Sequence, residues 1–530
     1  MKKTVLCIAL TALILCGCGK DTDYTAESGT ISAETLEPVR GGIVNLFCDT
    51  PDTLNPIVTG YKSVSQVMDL VYDGLFRTEN NFSATPVLAS GYVAEANNTV
   101  YVVKLNKKIK FHNGSDFDAA DVVATFRHIA NSDSKYKSAL ADVKSCYAHS
   151  DDTVVFELNI PKSNFANLLD FPILPAESSD ADFTADNVNF IPDGTGKYKV
   201  HTKDAIGITL VENKDYKLSD EPYVDEIRIK FMKDASVAKY NFEAVETDFI
   251  TTDLYAWGDT AMNGNFSAYE YESNRLTFIG LNCSNFVLSD KNIRKILAGA
   301  VDKDKFVSDI LYSHGARVDL PVNPNAYFAT GGLLADLYES GKTLNLLKGS
   351  GWLDLDGDGV LDKYFDDQQY SMSFRLIVNS GNGNAVKLAQ MLKSNLAPEG
   401  INLDVVYLDY YNYVAAVQNG DYDMFIGRTD IANDCDVSFM LKTGGYQNFY
   451  RFSSPDMDDA LYRVSVANGE NNIKNAYKEF ESVFKDEMPV IPLYFETDAV
   501  FSSIRIKGDP NVSRTGIFTG FENVYVEYKE

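Results

Sequence analysis

The sequence predicts an α/β protein with a binding cleft between lobes, and two observations support this prediction. Segments with the alternation typical of strands follow segments with the periodicity of helices over short connections, which favours a parallel or mixed sheet covered by helices. The chain has 530 residues, and such a length favours two or three lobes rather than one. Ligands of α/β proteins bind at strand ends and between lobes, so we expect the binding site in such a cleft.

The chain begins with the features of an exported lipoprotein. Two lysines precede an apolar run at 4–15, which is shorter than the ~20 residues needed to span a bilayer. The motif LCGC that follows ends at Cys18 and resembles the lipobox of bacterial lipoproteins. We predict that residues 1–17 are a signal peptide, that Cys18 is lipidated, and that residues 18–40 form a polar, flexible tether. The lipid anchor would hold the protein on the extracytoplasmic face of the cell membrane.

The strand and helix predictions depend on the spacing of apolar residues. Tyr101, Val103 and Leu105 alternate with their neighbours as in a half-buried strand. Asp118 precedes apolar residues that recur every three to four positions, which predicts a helix with acidic residues at its start. By the same criteria we predict further strands at 372–378, 401–407 and 424–426, and further helices at 290–301, 385–396, 411–418 and 473–484.

Composition and missing motifs disfavour several classes of function. The formal net charge of -27 opposes binding to nucleic acid, whose phosphates require Lys and Arg. The five histidines form no H-E-x-x-H motif, and no G-x-S-x-G motif occurs. The segment GTGK at 194–197 is not a phosphate-binding loop, because Ile191 and Tyr198 replace its first Gly and its Ser/Thr. We therefore predict that the protein is not an enzyme and has no nucleic-acid partner.

One acidic segment has the spacing of a metal site. Asp354, Asp356, Asp358 and Asp362 occupy positions 1, 3, 5 and 9 of an EF-hand loop, but Phe365 replaces the bidentate Glu of position 12. We interpret this segment as an acidic turn. The alternative is a weakly held structural calcium ion, and we predict no other cofactor.

The cysteines after the tether leave two alternatives open. Cys48, Cys146, Cys283 and Cys435 are widely spaced and form no C-x-x-C motif. This spacing favours neither a zinc cluster nor a dense disulfide framework. They are either thiols or members of one or two pairs.

A series of short motifs runs in order along the chain. They are TLNP at 53–56, KFHNG at 110–114, DAADVV at 118–123, GTGKY at 194–198 and DKNIRKILAGAVD at 290–302. Each is weak alone, but together they resemble the family 5 extracellular solute-binding proteins, the oligopeptide-, dipeptide- and nickel-binding receptors of ABC importers. The matches extend from about residue 43 to about residue 495.

This resemblance implies a periplasmic-binding-protein fold of type II with three lobes and a ligand cleft between lobes I and III. Lobe I would be discontinuous and would comprise residues 41–77, 194–280 and 494–530. Lobe II would comprise residues 78–193, and lobe III residues 281–493.

The resemblance also implies how a ligand would be held. Peptide-binding members bind the peptide backbone as an added strand. The positions equivalent to their binding segments are Thr59, Gly60, Tyr61 and Lys62 in a first segment, and Gly427, Arg428, Thr429 and Asp430 in a second segment directly after the strand at 424–426.

An acidic residue of the second segment would pair with the α-amino group of the peptide. Asp430 is the first candidate, followed by Asp434 and Asp436. Members of the family usually have a tryptophan before that acid, and this chain has another residue there. We therefore also consider that the guanidinium of Arg428 binds a ligand carboxylate through two N–H groups. The alternative for Arg428 is a salt bridge within the protein. His112, in the KFHNG motif, is interpreted as structural rather than as a nickel ligand.

These observations predict a substrate-binding lipoprotein that captures short peptides and delivers them to the permease and ATPase subunits of an ABC transporter. One alternative is a receptor for another solute, such as a metal chelate or a sugar. A second is a lipoprotein that senses a peptide signal. A third, an anchored hydrolase, lacks a recognisable catalytic pair.

Overall fold

The computed structural model describes residues 38–233, 237–252, 266–329 and 342–527, and the described residues from Val39 onwards belong to one compact unit. Its strands are β1 (Ile43–Asp49), β2 (Phe76–Thr78), β3 (Ala84–Pro86), β4 (Ala89–Glu95), β5 (Val100–Leu105), β6 (Val143–Ser150), β7 (Thr153–Leu158), β8 (Tyr198–Lys203), β9 (Gly207–Glu212), β10 (Glu226–Met232), β11 (Phe249–Thr252), β12 (Phe266–Leu281), β13 (Gly315–Arg317), β14 (Asp362–Phe365), β15 (Gln368–Ser371), β16 (Ser373–Asn379), β17 (Asn402–Leu408), β18 (Met424–Asp430), β19 (Val490–Ser503), β20 (Ile506–Lys507) and β21 (Tyr525–Val526). Its α-helices are α1 (Lys62–Met68), α2 (Ala119–Asn131), α3 (Ala238–Glu243), α4 (Lys291–Gly299), α5 (Lys303–Ile310), α6 (Lys342–Gly349), α7 (Gly383–Leu396), α8 (Tyr410–Asn419), α9 (Ser438–Leu441), α10 (Pro455–Val466) and α11 (Glu470–Glu487). None of these helices is long and apolar enough to cross a membrane.

Two four-stranded sheets are formed by the first half of the chain. One has the order β1-β10-β9-β8, with β1 parallel to β10 and the other pairs antiparallel. The other is antiparallel, in the order β4-β5-β7-β6, and α2 packs against it. Asp118 begins α2 as predicted, because its side chain accepts a hydrogen bond of 2.7 Å from the N–H of Ala120. Val122 and Ile129 form part of the buried stripe of this helix.

A larger mixed sheet contains the predicted strands of the second half. Its order is β11-β19-β12-β18-β16-β17, with β13 paired to β19. β16 is parallel to β17 and to β18, whereas β12 is antiparallel to β18 and to β19. α7 connects β16 to β17, and α8 connects β17 to β18. The carboxyl ends of these three parallel strands therefore meet at one edge, the usual place for a ligand in an α/β sheet.

Most buried apolar side chains of the described residues belong to two cores. One core draws on residues 44–271 and 500–526, and the other on residues 276–495 together with Phe82. β12 and β19 run from one core into the other and remain paired with each other on the way, with a shift of register between Glu272 and Leu276. The two cores agree with a division into lobes, but the predicted lobe boundaries remain predictions.

Strand β18 is longer than the sequence predicts. Arg428 and Asp430 interrupt the apolar run, so the sequence ends the strand at 426. The structure continues the ladder with β12 as far as the pair Arg275 and Asp430. The prediction that residues 427–430 follow the strand is therefore wrong, because they form its last four residues. The other predicted strands and helices are confirmed, with ends that differ by a few residues.

The sequence leaves open whether the four cysteines are thiols or form disulfide pairs, and the structure answers this. Cys48, Cys146, Cys283 and Cys435 are free thiols. Cys48 and Cys435 are buried, and burial raises the pKa of both thiols. They behave as small apolar core residues.

Candidate functional site

A cavity of about 380 Å³ lies beside the second predicted ligand segment, at the edge where the parallel strands end. β18 contributes residues 425–430, the end of β16 contributes Asn379, and the turn into α7 contributes Asn382. α8 contributes one face that includes Tyr410 and Tyr413. All four residues that the sequence predicts in this segment therefore line one cavity.

One edge of β18 is open along this cavity. β18 pairs with β12 from Met424 to Asp430, but its ladder with β16 covers only Met424 and Phe425. Within the described part of the chain, no ladder continues beside residues 426–430 on that side. The N–H and C=O groups along such an edge can pair with an extended chain.

The side chains around this edge hold it in place. The hydroxyl of Tyr413 donates a hydrogen bond of 2.6 Å to the carbonyl oxygen of Ile426. The hydroxyl of Thr429 donates one of 2.9 Å to Oε1 of Gln447. Thr429 is buried, whereas Arg428 and Asp430 are exposed at the cavity. The edge is thus fixed by hydrogen bonds of neutral groups, and its two charged side chains are exposed at the cavity.

A chain of ion pairs connects the two predicted ligand segments. In the second segment, Nε of Arg428 lies 3.1 Å from Oε1 of Glu496. Nε of Arg275 donates to Oε2 of Glu496 at 2.6 Å, and its Nη2 donates to Asp498. Oδ2 of Asp498 lies 3.7 Å from Nζ of Lys62 in the first segment. The structure therefore brings the two segments to opposite ends of one charged network.

The carboxylates of this network are almost fully buried. The side chains of Glu496 and Asp498 are 1% and 4% exposed. Burial raises the pKa of Glu496, while the facing Arg428 and Arg275 act in the opposite direction. Arg428 therefore forms the salt bridge that was the alternative to a ligand contact, and it lines the cavity as well.

Sequence reasoning missed the centre of this network, which is Arg275, Glu496 and Asp498. One signal was available, because Glu496 and Asp498 stand two residues apart in a strand with no other charged residue, VIPLYFETDAVFSS. Side chains two residues apart lie on the same face of a strand. Two buried carboxylates on one face require a buried cation nearby.

The first predicted segment is a loop that leads into α1. Oδ1 of Asp52 accepts a hydrogen bond of 2.7 Å from the hydroxyl of Thr59, and Oδ2 accepts one of 2.8 Å from the N–H of Gly60. Thr59 is buried and supports the loop, whereas Tyr61 and Lys62 are exposed. Tyr61 and Lys62 are therefore the residues of this segment whose side chains are accessible to a ligand.

The structure places Asp434 and Asp436 in a cluster around the buried Lys162 rather than on the cavity. Nζ of Lys162 lies 3.2 Å from Asp434, 3.0 Å from Asp436 and 3.2 Å from Asp142. Burial raises the pKa of Asp434. Although burial opposes it, Lys162 holds the pKa of Asp436 below its usual value. Of the three acidic candidates, Asp430 is the one that lines the cavity.

His112 and the GTGK segment form one packed unit. Nδ1 of His112 accepts from the N–H of Gly194 at 3.4 Å, and its Nε2 lies 3.0 Å from the carbonyl oxygen of Gly196. Burial lowers the pKa of His112 to about 4, so its ring is neutral at physiological pH. A Cβ at Gly194 would lie 2.0 Å from the carbonyl oxygen of Val71. These glycines thus permit close backbone packing and do not form a phosphate loop.

The acidic segment brings three of its four predicted residues together. Carboxylate oxygens of Asp354, Asp356 and Asp358 lie within 4.8 Å of one another, and all three residues are exposed. Asp354 accepts hydrogen bonds of 2.7 and 3.1 Å from the N–H groups of two loop glycines, as in an acidic turn. Asp362 is buried and begins β14 instead. A weakly held calcium ion in this loop stays the untested alternative to the acidic turn.

Comparisons with known proteins agree with this architecture. The sequence profile of the bacterial extracellular solute-binding proteins, family 5 (middle region), matches residues 83–450. The oligopeptide-binding protein AppA of Bacillus subtilis (strain 168) is 23% identical over 532 residues, which cover 96% of this chain and 95% of AppA.

Two solved structures show the same fold. The structure of AppA from Bacillus subtilis in complex with a nonapeptide is 22% identical with a TM-score of 0.62, over 93% of this chain and 100% of that chain. HbpA2 from Haemophilus parasuis is 18% identical with a TM-score of 0.78, over 92% of this chain and 100% of that chain. Because the family profile matches more than half of the sequence, the chain belongs to family 5 of the bacterial extracellular solute-binding proteins.

Proposed function

We propose that this protein captures short peptides outside the cytoplasm and delivers them to the permease and ATPase subunits of an ABC transporter. The observation that carries this proposal is the open edge of β18 beside the cavity, where a peptide can add as a further strand. Pairing through the backbone gives affinity for peptides of different sequence. The name of AppA, an oligopeptide-binding protein, supports the same class of ligand.

The charged residues at the open edge are proposed to fix the direction of the peptide. Asp430 is exposed at the cavity and would pair with the α-amino group. Arg428 lies next to it on the ion-pair network and would contact a carboxylate of the ligand. Tyr61 and Lys62 would contact the ligand from the other segment.

The mode of capture and the cellular location are also proposals. Lobe I (41–77, 194–280 and 494–530) and lobe III (281–493) would close on the ligand, because β12 and β19 run between the two cores. Cys18 and residues 1–17 lie outside the described residues, so lipidation and the signal peptide rest on the sequence motif. We propose no catalytic activity.

The test is native mass spectrometry of the chain from residue 19 onwards. The protein is mixed with an equimolar pool of peptides of two to nine residues and, separately, with sugars and with metal–histidine chelates. We expect a ladder of bound masses that match peptides of varied sequence. Binding of a sugar or a chelate without any peptide would contradict the proposal, and a single bound peptide would favour a sensor of one signal.

Asp430→Asn tests the proposed contact with the α-amino group. We expect wild-type protein to bind a free peptide about 10- to 100-fold more tightly than its N-acetylated form, the range expected for a hydrogen bond to a charged group. Asp430→Asn should lose this preference. Asp404→Asn, on an exposed position of β17 away from the cavity, is the control. An equal preference in all three proteins would refute the role of Asp430.

A further inference from the structure

The cavity beside β18 has an apolar floor as well as a charged rim, which consists of Arg428 and Asp430. The floor is defined by Phe278, Tyr413, Val414, Val417, Phe425 and Met440, all of which line the cavity. Met440, Phe425 and Phe278 are almost fully buried. These residues come from β12, α8, β18 and α9, so four separate elements pack together beneath the cavity, and Tyr413 and Val414 are the partly exposed members of the floor.

The backbone of β18 lies directly on the aromatic part of this floor. The rings of Phe278 and Phe425 meet edge to face with their centroids 5.8 Å apart. A Cβ at Gly427 would lie 2.7 Å from a ring atom of each. Glycine therefore lets the open edge sit against both rings without a side chain of its own between them.

The polar atom of the floor already has a partner. The hydroxyl of Tyr413 is used by the carbonyl oxygen of Ile426, at 2.6 Å. Val414 and Val417, on the same helix, offer carbon atoms alone. A charged side chain placed on this floor would lose its hydration without gaining a partner there, which is unfavourable.

The cavity is large enough for a bulky side chain. A cavity of about 150 Å³ accommodates benzene, and the cavity beside β18 measures about 380 Å³. In an added strand every second side chain points to the same face. A peptide paired with β18 would therefore direct alternate side chains towards the floor.

We infer that this floor is a specificity pocket, which selects peptides that carry an aromatic or long aliphatic side chain at the position facing α8. The inference rests on the proposed function, because it assumes that a peptide pairs with β18. It goes further in assigning a side-chain preference to a site where backbone pairing alone would give none. Val414 is the residue best suited to test it, since it lines the cavity and is only partly buried.

The experiment is a competition measured by native mass spectrometry on the chain from residue 19 onwards. The probes are alanine-based pentapeptides that carry one Phe, Leu, Lys or Glu, with the position of that residue varied. We expect the best Phe and Leu peptides to bind at least about tenfold more tightly than the best Lys and Glu peptides. Equal binding of all four sets would overturn the inference and leave the proposed function intact. Binding of none would overturn both.

Two neighbouring substitutions on α8 provide the matched comparison. Val414→Asp places a carboxylate on the floor, and Ala415→Asp places one on the exposed next position, which does not line the cavity. We expect Val414→Asp to lower the ratio of Phe to Lys binding about tenfold and Ala415→Asp to leave it unchanged. If Val414→Asp does not fold, Val414→Asn makes the same comparison without a charge. An unchanged ratio in a folded Val414 variant would overturn the inference.

Discussion

At the scale of single residues, Arg275 is the centre of the charged network. It donates to Glu496 and to Asp498, both almost fully buried, and its own side chain is 17% exposed. Removing one partner of a buried ion pair leaves an uncompensated charge in a poorly solvated place. The stability of the region between the two ligand segments should therefore depend on this guanidinium.

We expect Arg275→Met to lower the free energy of unfolding by about 3–5 kcal/mol, the usual cost of breaking a buried pair. Urea denaturation followed by circular dichroism measures it. Arg228→Met is the control, because Arg228 pairs with Glu226 on β10 and its side chain is 57% exposed. That change should cost no more than about 1 kcal/mol. Similar losses in the two variants would show that Arg275 is not buried as described.

His112 predicts a dependence of stability on pH. Burial lowers its pKa in the folded protein from 6.5 to about 4, so the folded state resists protonation that the unfolded state accepts. Its contribution is fully present above pH 6.5 and is lost as the pH falls towards 4. Between pH 7.5 and 5.0 this amounts to about 2 kcal/mol of unfolding free energy.

The measurement is urea denaturation at these two pH values. His112→Gln should lose about 2 kcal/mol less stability on acidification than the wild type does, since glutamine does not titrate. His149→Gln changes an exposed histidine on β6 and should behave as the wild type. If His112→Gln keeps the full dependence, the ring of His112 is not held neutral by its packing.

At the scale of elements, β18 has a structural role and, in the proposed function, a binding role as well. It pairs with β12 over its whole length and leaves its other edge to the cavity. Gly427 permits this arrangement, because Phe278 and Phe425 occupy the space that a side chain would need.

Gly427→Ala should therefore be destabilising. We expect a loss of about 1–3 kcal/mol in the free energy of unfolding, the usual cost of overpacking, together with weaker peptide binding. Gly383→Ala in α7 is the control, since no atom lies within 4 Å of the position of its new Cβ. That change should be neutral or stabilising by up to about 1 kcal/mol. Thermal unfolding measures the stability of the two variants, and peptide titration measures their affinity. Equal stability and equal affinity in the two variants would contradict the packing of β18 on the two rings.

An element can be predicted from the sequence when the residues that determine it are close together in the chain. The stripe of α2 and its cap Asp118 lie within a few residues of one another, and the sequence predicts both correctly. The end of β18 is set by pairing with β12, more than a hundred residues away in the chain. An apolar pattern that stops at Ile426 carries no information about that pairing.

At the scale of the whole molecule, contacts distant in sequence determine the site. Lys162 meets Asp434 and Asp436, and Asn167 donates a hydrogen bond of 3.0 Å to the carbonyl oxygen of Asn433. These contacts fix the segment that follows β18 against the first half of the chain. They also explain why Asp434 is not on the cavity, which the sequence could not indicate, because Lys162 is 272 residues away.

The candidate site could thus be predicted in part. The resemblance to a known family assigned both predicted ligand segments, and the structure brings these segments to one charged network. Arg275, Glu496 and Asp498, which connect the segments, belong to none of those motifs. Their relation exists only once β12 and β19 are paired, so it is a property of the fold rather than of any local pattern.

The central claim is that a peptide binds as a strand added to the open edge of β18. The most direct test is hydrogen exchange of the backbone amides, measured with and without a saturating peptide identified by native mass spectrometry. We predict that exchange slows at least about tenfold on binding for those amides of residues 426–430 that do not donate to β12, while the sheet formed by β4 to β7 is unchanged. A peptide that binds tightly and leaves the exchange of residues 426–430 unaltered would contradict the account.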